Sequence, residues 1–333
     1  MEVQKLTVAI PVLNGGALFR ETLAALKQQR NASGVELEIL IVDSGSTDGS
    51  IEAAREAGAR LIEIDKSQFQ HGATRNMAIE RSTGDAVAFL TDDATPATDR
   101  WLDAIVEGFA QADDVALVFG PQLPRPDHSP MVRREMLDHF SSWGDGEGIA
   151  VQKIGAGAAG REAYELHKGD YVFFSDANGA VARWAWQQVP YRAVPYAEDQ
   201  LLGREMLERG FAKVFHPGAA VLHSHDYSAW QWLKRRFDDY RGVLEVFDHC
   251  TPLRPITGAR NVAGLARADR QFMRDEGTSG PSLMLWTLRS LRHHGLRQIG
   301  EWLGGRADRL PVALTRRLSL DGRGGSRRAT DLP

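Results

Sequence analysis

A chain of 333 residues, 43% hydrophobic and 25% charged, suits a soluble protein with one large α/β core and an appended subdomain. The net charge of −4 is unevenly spread: Met284–Pro333 holds ten arginines, no lysine and four acids, leaving the rest strongly acidic. The one cysteine, Cys250, excludes an intramolecular disulfide and fits a reducing compartment; the N-terminus lacks a signal-peptide pattern, and no apolar run reaches about eighteen residues, so a cytoplasmic protein is expected.

In chain order, Leu6–Val12 reads as a strand and Ala17–Gln29 as a helix with Leu18, Thr22, Ala25, Leu26 and Gln29 near one face. Glu36–Val42 is short and β-branched, as in a strand buried within a parallel sheet, and Ser50–Ala57 follows as a helix ended by Gly58. Arg60–Ile64, Ala86–Leu90 and Val115–Phe119 are further strands, with helices at Gly72–Arg81 and Trp101–Ala110 between them. This alternation predicts a mostly parallel, doubly wound sheet. Residues 141–170, rich in Gly and Ala, read as a long loop that is either a lid or a connector. Within Met284–Leu303, the spacing of Met284, Leu285, Leu288, Leu291, Leu296, Ile299, Trp302 and Leu303 predicts a helix, with Arg289, Arg292, His293 and Arg297 on its other side. Such a helix either packs its apolar side on the domain or lies on an anionic membrane.

Five places carry possible chemistry. Pro11, Asn14 and Asp43–Ser50, including Ser46, stand where ligands of open α/β sheets sit, at strand C-terminal ends beside a helix N-terminus. Thr91-Asp92-Asp93 ends an apolar strand with hard oxygen ligands suited to Mg²⁺ or Mn²⁺, or else caps the next helix. His71–Asn76 puts Arg75 near a helix start, where a phosphate or plain solvent would suit it. Glu198-Asp199 is an ordinary helix cap unless it faces the same cleft as Asp93, in which case a carboxylate there can take a proton from a hydroxyl. His223-Ser224-His225 offers imidazoles to a metal or forms a hydrogen-bonded pair.

Together these motifs resemble the inverting, nucleotide-sugar-dependent glycosyltransferases of the GT-A fold, glycosyltransferase family two. The likeness rests on Ile10–Asn14, Ile41–Ser50, Phe89–Asp93 and Glu198-Asp199, in that order over residues 6 to about 228. His71–Asn76, Asp176-Ala177-Asn178 and His223–Ser228 are most similar to bacterial rhamnosyltransferases of surface polysaccharide synthesis. The resemblance implies a GT-A catalytic domain over residues 1–250, split into a nucleotide-binding half (1–120) and an acceptor-binding half (121–250). A helical extension (251–320) and a disordered tail (321–333) would follow.

By the same resemblance, Pro11, Asn14, Asp43 and Ser46 line the nucleoside pocket, Arg75 lies near the base and diphosphate, and Asp92 sits beside the donor. Asp93 binds the metal, Mg²⁺ or Mn²⁺, with His223 and His225, although Thr91 stands where many members have a first Asp. Asp199 is the catalytic base, and Asp176 and Asn178 lie near a sugar. The implied reaction moves L-rhamnose from dTDP-L-rhamnose to a saccharide or lipid-linked saccharide, with UDP-hexose or GDP-mannose as other donors and no nucleic-acid partner. The basic C-terminal helix would serve peripheral membrane association. A sugar nucleotidyltransferase would want a basic Gly-rich loop near the N-terminus, and a dehydrogenase G-x-G-x-x-G; Asn14-Gly15-Gly16 supplies neither.

Overall fold

The computed structural model describes residues 1–143, 148–194, 196–247 and 255–320, together with Gly322. The first half of the chain runs β1 (Lys5–Val12), α1 (Gly16–Lys27), β2 (Glu36–Asp43), α2 (Ser50–Glu56), β3 (Arg60–Glu63), α3 (His71–Arg81), β4 (Ala86–Leu90), β5 (Thr95–Pro96), α4 (Trp101–Phe109), β6 (Val115–Phe119) and β7 (Gln122–Leu123). Then come α5 (Pro130–Ser141), β8 (Ala150–Gln152), α6 (Gly157–Leu166), α7 (Lys168–Val172), β9 (Asn178–Ala182), α8 (Arg183–Trp186), α9 (Glu198–Glu208), β10 (Ala212–Phe215) and β11 (Val221–Leu222). The last elements are helices: α10 (Ala229–Phe247), α11 (Pro255–Asp275), α12 (Gly280–Gly304) and α13 (Val312–Leu318).

By compactness these residues form two units. The first comprises Met1–Arg125, Met136–Ala193 and Glu198–Ser224; the second comprises Pro126–Glu135, Val194–Ala197 and His225–Pro333. Among the described residues the first unit holds an eight-stranded sheet ordered β3-β2-β1-β4-β9-β6-β10-β8 and a small one ordered β5-β11-β7. β1, β2, β3 and β4 are mutually parallel, as are β6 and β10. The strands Ala-Val-Ala-Phe-Leu of β4 and Val-Ala-Leu-Val-Phe of β6 are buried throughout, which is why they read as unbroken apolar runs.

Two expectations need correcting. β9 was not foreseen as a strand, and it runs antiparallel between β4 and β6 at the centre of the sheet. Its sequence, Asn-Gly-Ala-Val-Ala, is short and made mostly of small residues, so it carries little strand signal. The smallness has a reason: a Cβ on Gly179 would lie 2.6 Å from the Phe174 ring and 2.7 Å from the Ser175 carbonyl.

The segment 141–170 is also no long loop, because β8, α6 and most of α7 lie within it; residues 144–147 fall outside the described set. Ala158, Ala159, Glu162, Ala163 and Leu166 are good helix formers that outweigh the glycines around them. Lys213 of β10, fully buried, donates to the carbonyls of Tyr171 (2.6 Å) and Phe173 and ties down the end of α7.

In the second unit α12 packs against α10 and α11. A Cβ on Gly300 would meet the Leu233 carbonyl at 2.7 Å, and one on Gly304 the Phe237 carbonyl at 2.3 Å, so this glycine pair is what lets α10 approach. Cys250 and all of the expected tail 321–333 except Gly322 lie outside the described residues.

Candidate active site

β1, β2 and β4 end at one edge of the large sheet, and β9, antiparallel to β4, starts there with Leu90 opposite Asn178. Three of the five sequence motifs lie at this edge or on the small sheet, and the other two, His71–Asn76 and Glu198-Asp199, meet around Arg75. The β1 end turns at Asn14, which adopts a left-handed φ of 55° that asparagine tolerates better than most residues. Its backbone N–H donates to Ser46 Oγ (2.8 Å) and its side-chain oxygen accepts from the Thr47 N–H (2.8 Å). Asn14 and Ser46 thus brace the loop after β2. Asp43, buried at the end of β2, accepts the Gly45 and Ser46 N–H groups on Oδ1. Its Oδ2 is buried without a hydrogen-bond partner among the described residues. A buried carboxylate oxygen left open is costly, and an N–H or O–H donor from a nucleoside would complete it.

The acidic loop after β4 is held from behind. Arg125 donates to the Asp93 carbonyl and to Thr95 Oγ1, both at 3.2 Å, and Thr22 Oγ1 donates to the Asp92 carbonyl at 3.3 Å. Burial, then the neighbouring Asp93, pushes the Asp92 carboxyl up to about 6. The small sheet pairs Leu222 with Thr95 and Leu123, which delivers His223 beside Asp93: Nε2 lies 3.4 Å from Asp93 Oδ1.

His223 Nδ1 stands 2.8 Å from Gln122 Oε1, and Gln122 Nε2 donates to Ser175 Oγ at 3.0 Å. With Gln122 Oε1 as acceptor, a neutral His223 ring would carry its proton on Nδ1 and turn the Nε2 lone pair toward Asp93. One carboxylate oxygen and one imidazole nitrogen make a donor pair that fits Mn²⁺ better than Mg²⁺, which prefers oxygen donors alone, so Asp93 and His223 fit Mn²⁺, one of the two expected ions. His225 belongs to the second unit, where its ring stacks on Tyr227 at 5.3 Å.

The third group surrounds Arg75. Its Nε lies 2.7 Å from Asp176 Oδ2 and its Nη1 2.7 Å from Glu198 Oε1, with all three side chains at most 8% exposed. Tyr191 Oη donates to Asp176 Oδ1 at 2.6 Å. Asp199, half-buried, has Oδ1 accepting from the Gln200 N–H (2.8 Å) and Oδ2 accepting from the Asp176 N–H (3.4 Å). One guanidinium therefore serves three carboxylates. Burial, followed by the Glu198 charge, pushes Asp199 up to about 6; burial pushes Asp176 up to about 7 against the pull of Arg75. A carboxylate raised in this way is a stronger base when ionised, which is what deprotonating a sugar hydroxyl needs.

Three sequence expectations change here. Arg75 does not offer its charge to a diphosphate, because Asp176 and Glu198 engage it in the interior. Asp176 has both oxygens engaged, by Arg75 and Tyr191, and is 1% exposed, so it sits in the interior and presents no open oxygen to a sugar. Asn178 is fully buried: its oxygen accepts from Trp101 Nε1 (2.9 Å), and its amide donates to the carbonyls of Ala219 (2.7 Å) and Pro121 (3.3 Å). It latches β9 in place. Sequence reading missed Gln122, Arg125 and Tyr191 altogether. Each lies outside any motif, and only the fold brings them to His223, Asp93 and Asp176.

A mixed sheet whose strand ends carry an acidic loop, an imidazole facing it and a carboxylate raised to about 6 fits a sugar-transferring enzyme of the GT-A type. Residues 7–144 match the family described as Glycosyl transferase family 2. It is 27% identical over 324 residues to the O-antigen chain rhamnosyltransferase RfbN of Salmonella typhimurium (strain LT2), covering 95% of this chain and 94% of the relative. The O-antigen chain rhamnosyltransferase WbaN of Salmonella anatum is likewise 27% identical, over 94% of this chain and 93% of that one. The solved mannosyltransferase PcManGT of Pyrobaculum calidifontis, in complex with GDP-Man and Mn²⁺, shares the fold. Its TM-score is 0.56 at 17% identity, covering 92% of this chain and 86% of that one.

Proposed function

We propose that this glycosyltransferase moves L-rhamnose from dTDP-L-rhamnose to a saccharide or lipid-linked saccharide, with inversion, in the synthesis of a bacterial surface polysaccharide. The observation that carries the reaction class is Asp199, a half-buried carboxylate raised to about 6 beside an overcommitted arginine. The choice of sugar rests on the two full-length rhamnosyltransferase relatives.

In this reading Asp43 Oδ2 receives a hydrogen bond from the nucleoside, and Asn14, Ser46 and Pro11 shape the loop around it. Asp93 and His223, with His225 as the third candidate ligand, would hold Mg²⁺ or Mn²⁺, which when bound offsets negative charge on the diphosphate. Asp199 takes the proton of an acceptor hydroxyl as that oxygen bonds to the anomeric carbon. The bond from that carbon to the β-phosphate oxygen breaks from the opposite face, and the nucleoside diphosphate leaves with the electron pair. One displacement inverts the centre, and no enzyme nucleophile is needed.

The test mixes the protein and Mn²⁺ with dTDP-rhamnose, UDP-glucose and GDP-mannose, each with a rhamnose-accepting oligosaccharide, and follows nucleoside diphosphate release and product anomeric configuration. Release from dTDP-rhamnose with an inverted product is expected. Preference for another donor overturns the sugar; a retained configuration overturns the role of Asp199. Asp93→Ala should weaken both Mn²⁺ binding and donor binding. Unchanged metal response in that variant would remove Asp93 from the ligand set.

A further inference from the structure

The sequence pattern leaves the apolar side of α12 either packed on the domain or free to lie on a membrane, and the structure leaves much of it exposed. Leu283, Ser290, His294, Gly300, Glu301 and Gly304 are the buried residues of α12. Met284 (64% exposed), Leu285 (49%), Leu288 (59%), Leu291 (40%) and Ile299 (49%) face solvent. At 100° per residue these five fall within an arc of about 120° along four turns. Arg292 lies inside that arc and Arg289 at its margin, both exposed. His293 and Arg297, expected on the solvated side, instead point to Glu135 at 3.4 and 2.7 Å.

We infer that this outer face of α12 docks on an anionic lipid surface, with Met284, Leu288, Leu291 and Ile299 entering the headgroup boundary. A contiguous exposed apolar stripe on a monomer marks an interaction site, and the surrounding charge selects the partner. Residues 280–300 contain no acid at all, and the first one, Glu301, is buried and paired with Arg236 and Arg297. On α11, exposed Arg260, Arg267, Arg270 and Arg274 fall within an arc of about 80°.

A second copy packed stripe to stripe would set Arg289 and Arg292 against their equals, so self-association is disfavoured. Anionic headgroups complement the pattern, and apolar side chains flanked by arginine are how a helix lies within the interface plane. Crossing the bilayer is a different matter: no helix among the described residues is long and apolar enough. The face is also pre-formed, since α12 is anchored from beneath by His294 on Asp269 (2.7 Å) and Trp232 on the His293 carbonyl (3.2 Å).

The experiment is flotation of the full chain with two vesicle types, pure phosphatidylcholine and phosphatidylcholine containing about one-third phosphatidylglycerol. Binding to the second, weakened by salt, is expected. Leu288→Glu with Leu291→Glu should abolish it. Arg289→Gln with Arg292→Gln should weaken it about 30-fold, at about 1 kcal/mol per arginine. All three proteins should keep the same thermal midpoint and the same rate of donor consumption in solution, which shows that the variants fold. Equal binding to both vesicles, or undiminished binding of the glutamate variant, overturns the proposal. So does a dimer in sedimentation without lipid that the glutamate variant disperses, because the stripe then joins two copies.

Discussion

Around Arg75, three carboxylates (Asp176, Glu198 and Asp199) share one guanidinium, whereas in the second unit the acids Glu135 and Asp269 are surrounded by Arg134, Arg297, His293 and His294. Burial acts on both sets in the same direction, raising each carboxyl. At Asp176 and Asp199 it wins, lifting them to about 7 and about 6. At Glu135 the His293 hydrogen bond and the Arg297 charge overcome it and hold the carboxyl at about 2; at Asp269 bonds from His294, Ser290 and Arg134 hold it below its usual range. The same side chains thus make a proton-hungry site when cations are scarce and a locked helix junction when cations are plentiful. Cation count, more than depth, separates the two clusters.

The most forceful way to break this contrast is Asp199→Asn, which should cut turnover by about 10²–10⁴-fold while titration with donor nucleotide shows binding retained. Lost binding with normal turnover would mean that the carboxylate positions donor instead of taking the proton. Next in size is Asp269→Asn. It removes a fully buried charge from Arg134 and His294 and should cost about 3 kcal/mol in denaturant unfolding, with the pH profile of transfer unmoved. A shifted profile would contradict a purely structural role.

The two clusters should also answer pH in opposite senses. Glu135 lies below its unfolded value, so its contribution is present above pH 4.5 and is lost as pH falls toward about 2. Asp176 lies above its unfolded value, so its contribution is present below pH 3.8 and is lost as pH rises through about 7. Acid unfolding of Glu135→Gln should accordingly begin from lower stability yet show a shallower slope below pH 4.5. The smallest effect sharpens the chemistry: the rising limb of transfer rate near pH 6 should move to lower pH in Glu198→Gln. That change removes one like charge from Asp199 and frees Arg75 toward it. A limb that stays put would assign it to another group.

The expected β1, β2, β4 and β6 agree with the structure to within a residue or so, because buried parallel strands leave long apolar runs and their acidic or Gly-rich ends punctuate them. Asp43, Asp93 and His223 could be placed for the same reason: each lies at, or within three residues after, the end of a strand, so local pattern and location coincide. The companions were not legible. Arg75 meets Glu198 across 123 positions and Gln122 meets His223 across 101, and no local period encodes such a pairing. β9 hid because its small residues answer to Phe174 and not to strand propensity. The faces of α12 stayed open between two readings because apolar residues line both its inner and outer sides, and spacing alone does not say which side a neighbour covers.

The central position of β9 also bears on how the chain is made. β4 and β6 are complete by Phe119, but the strand that joins them ends at Ala182, 63 residues later. At roughly 10 residues per second on the ribosome, two apolar strands would carry open hydrogen-bonding edges for about 6 s. A nascent chain halted near residue 130 should therefore recruit chaperones or aggregate, and one halted well past residue 182 should be released from them. Asn178, which bonds Trp101, Pro121 and Ala219 at once, is then the residue whose arrival closes the window.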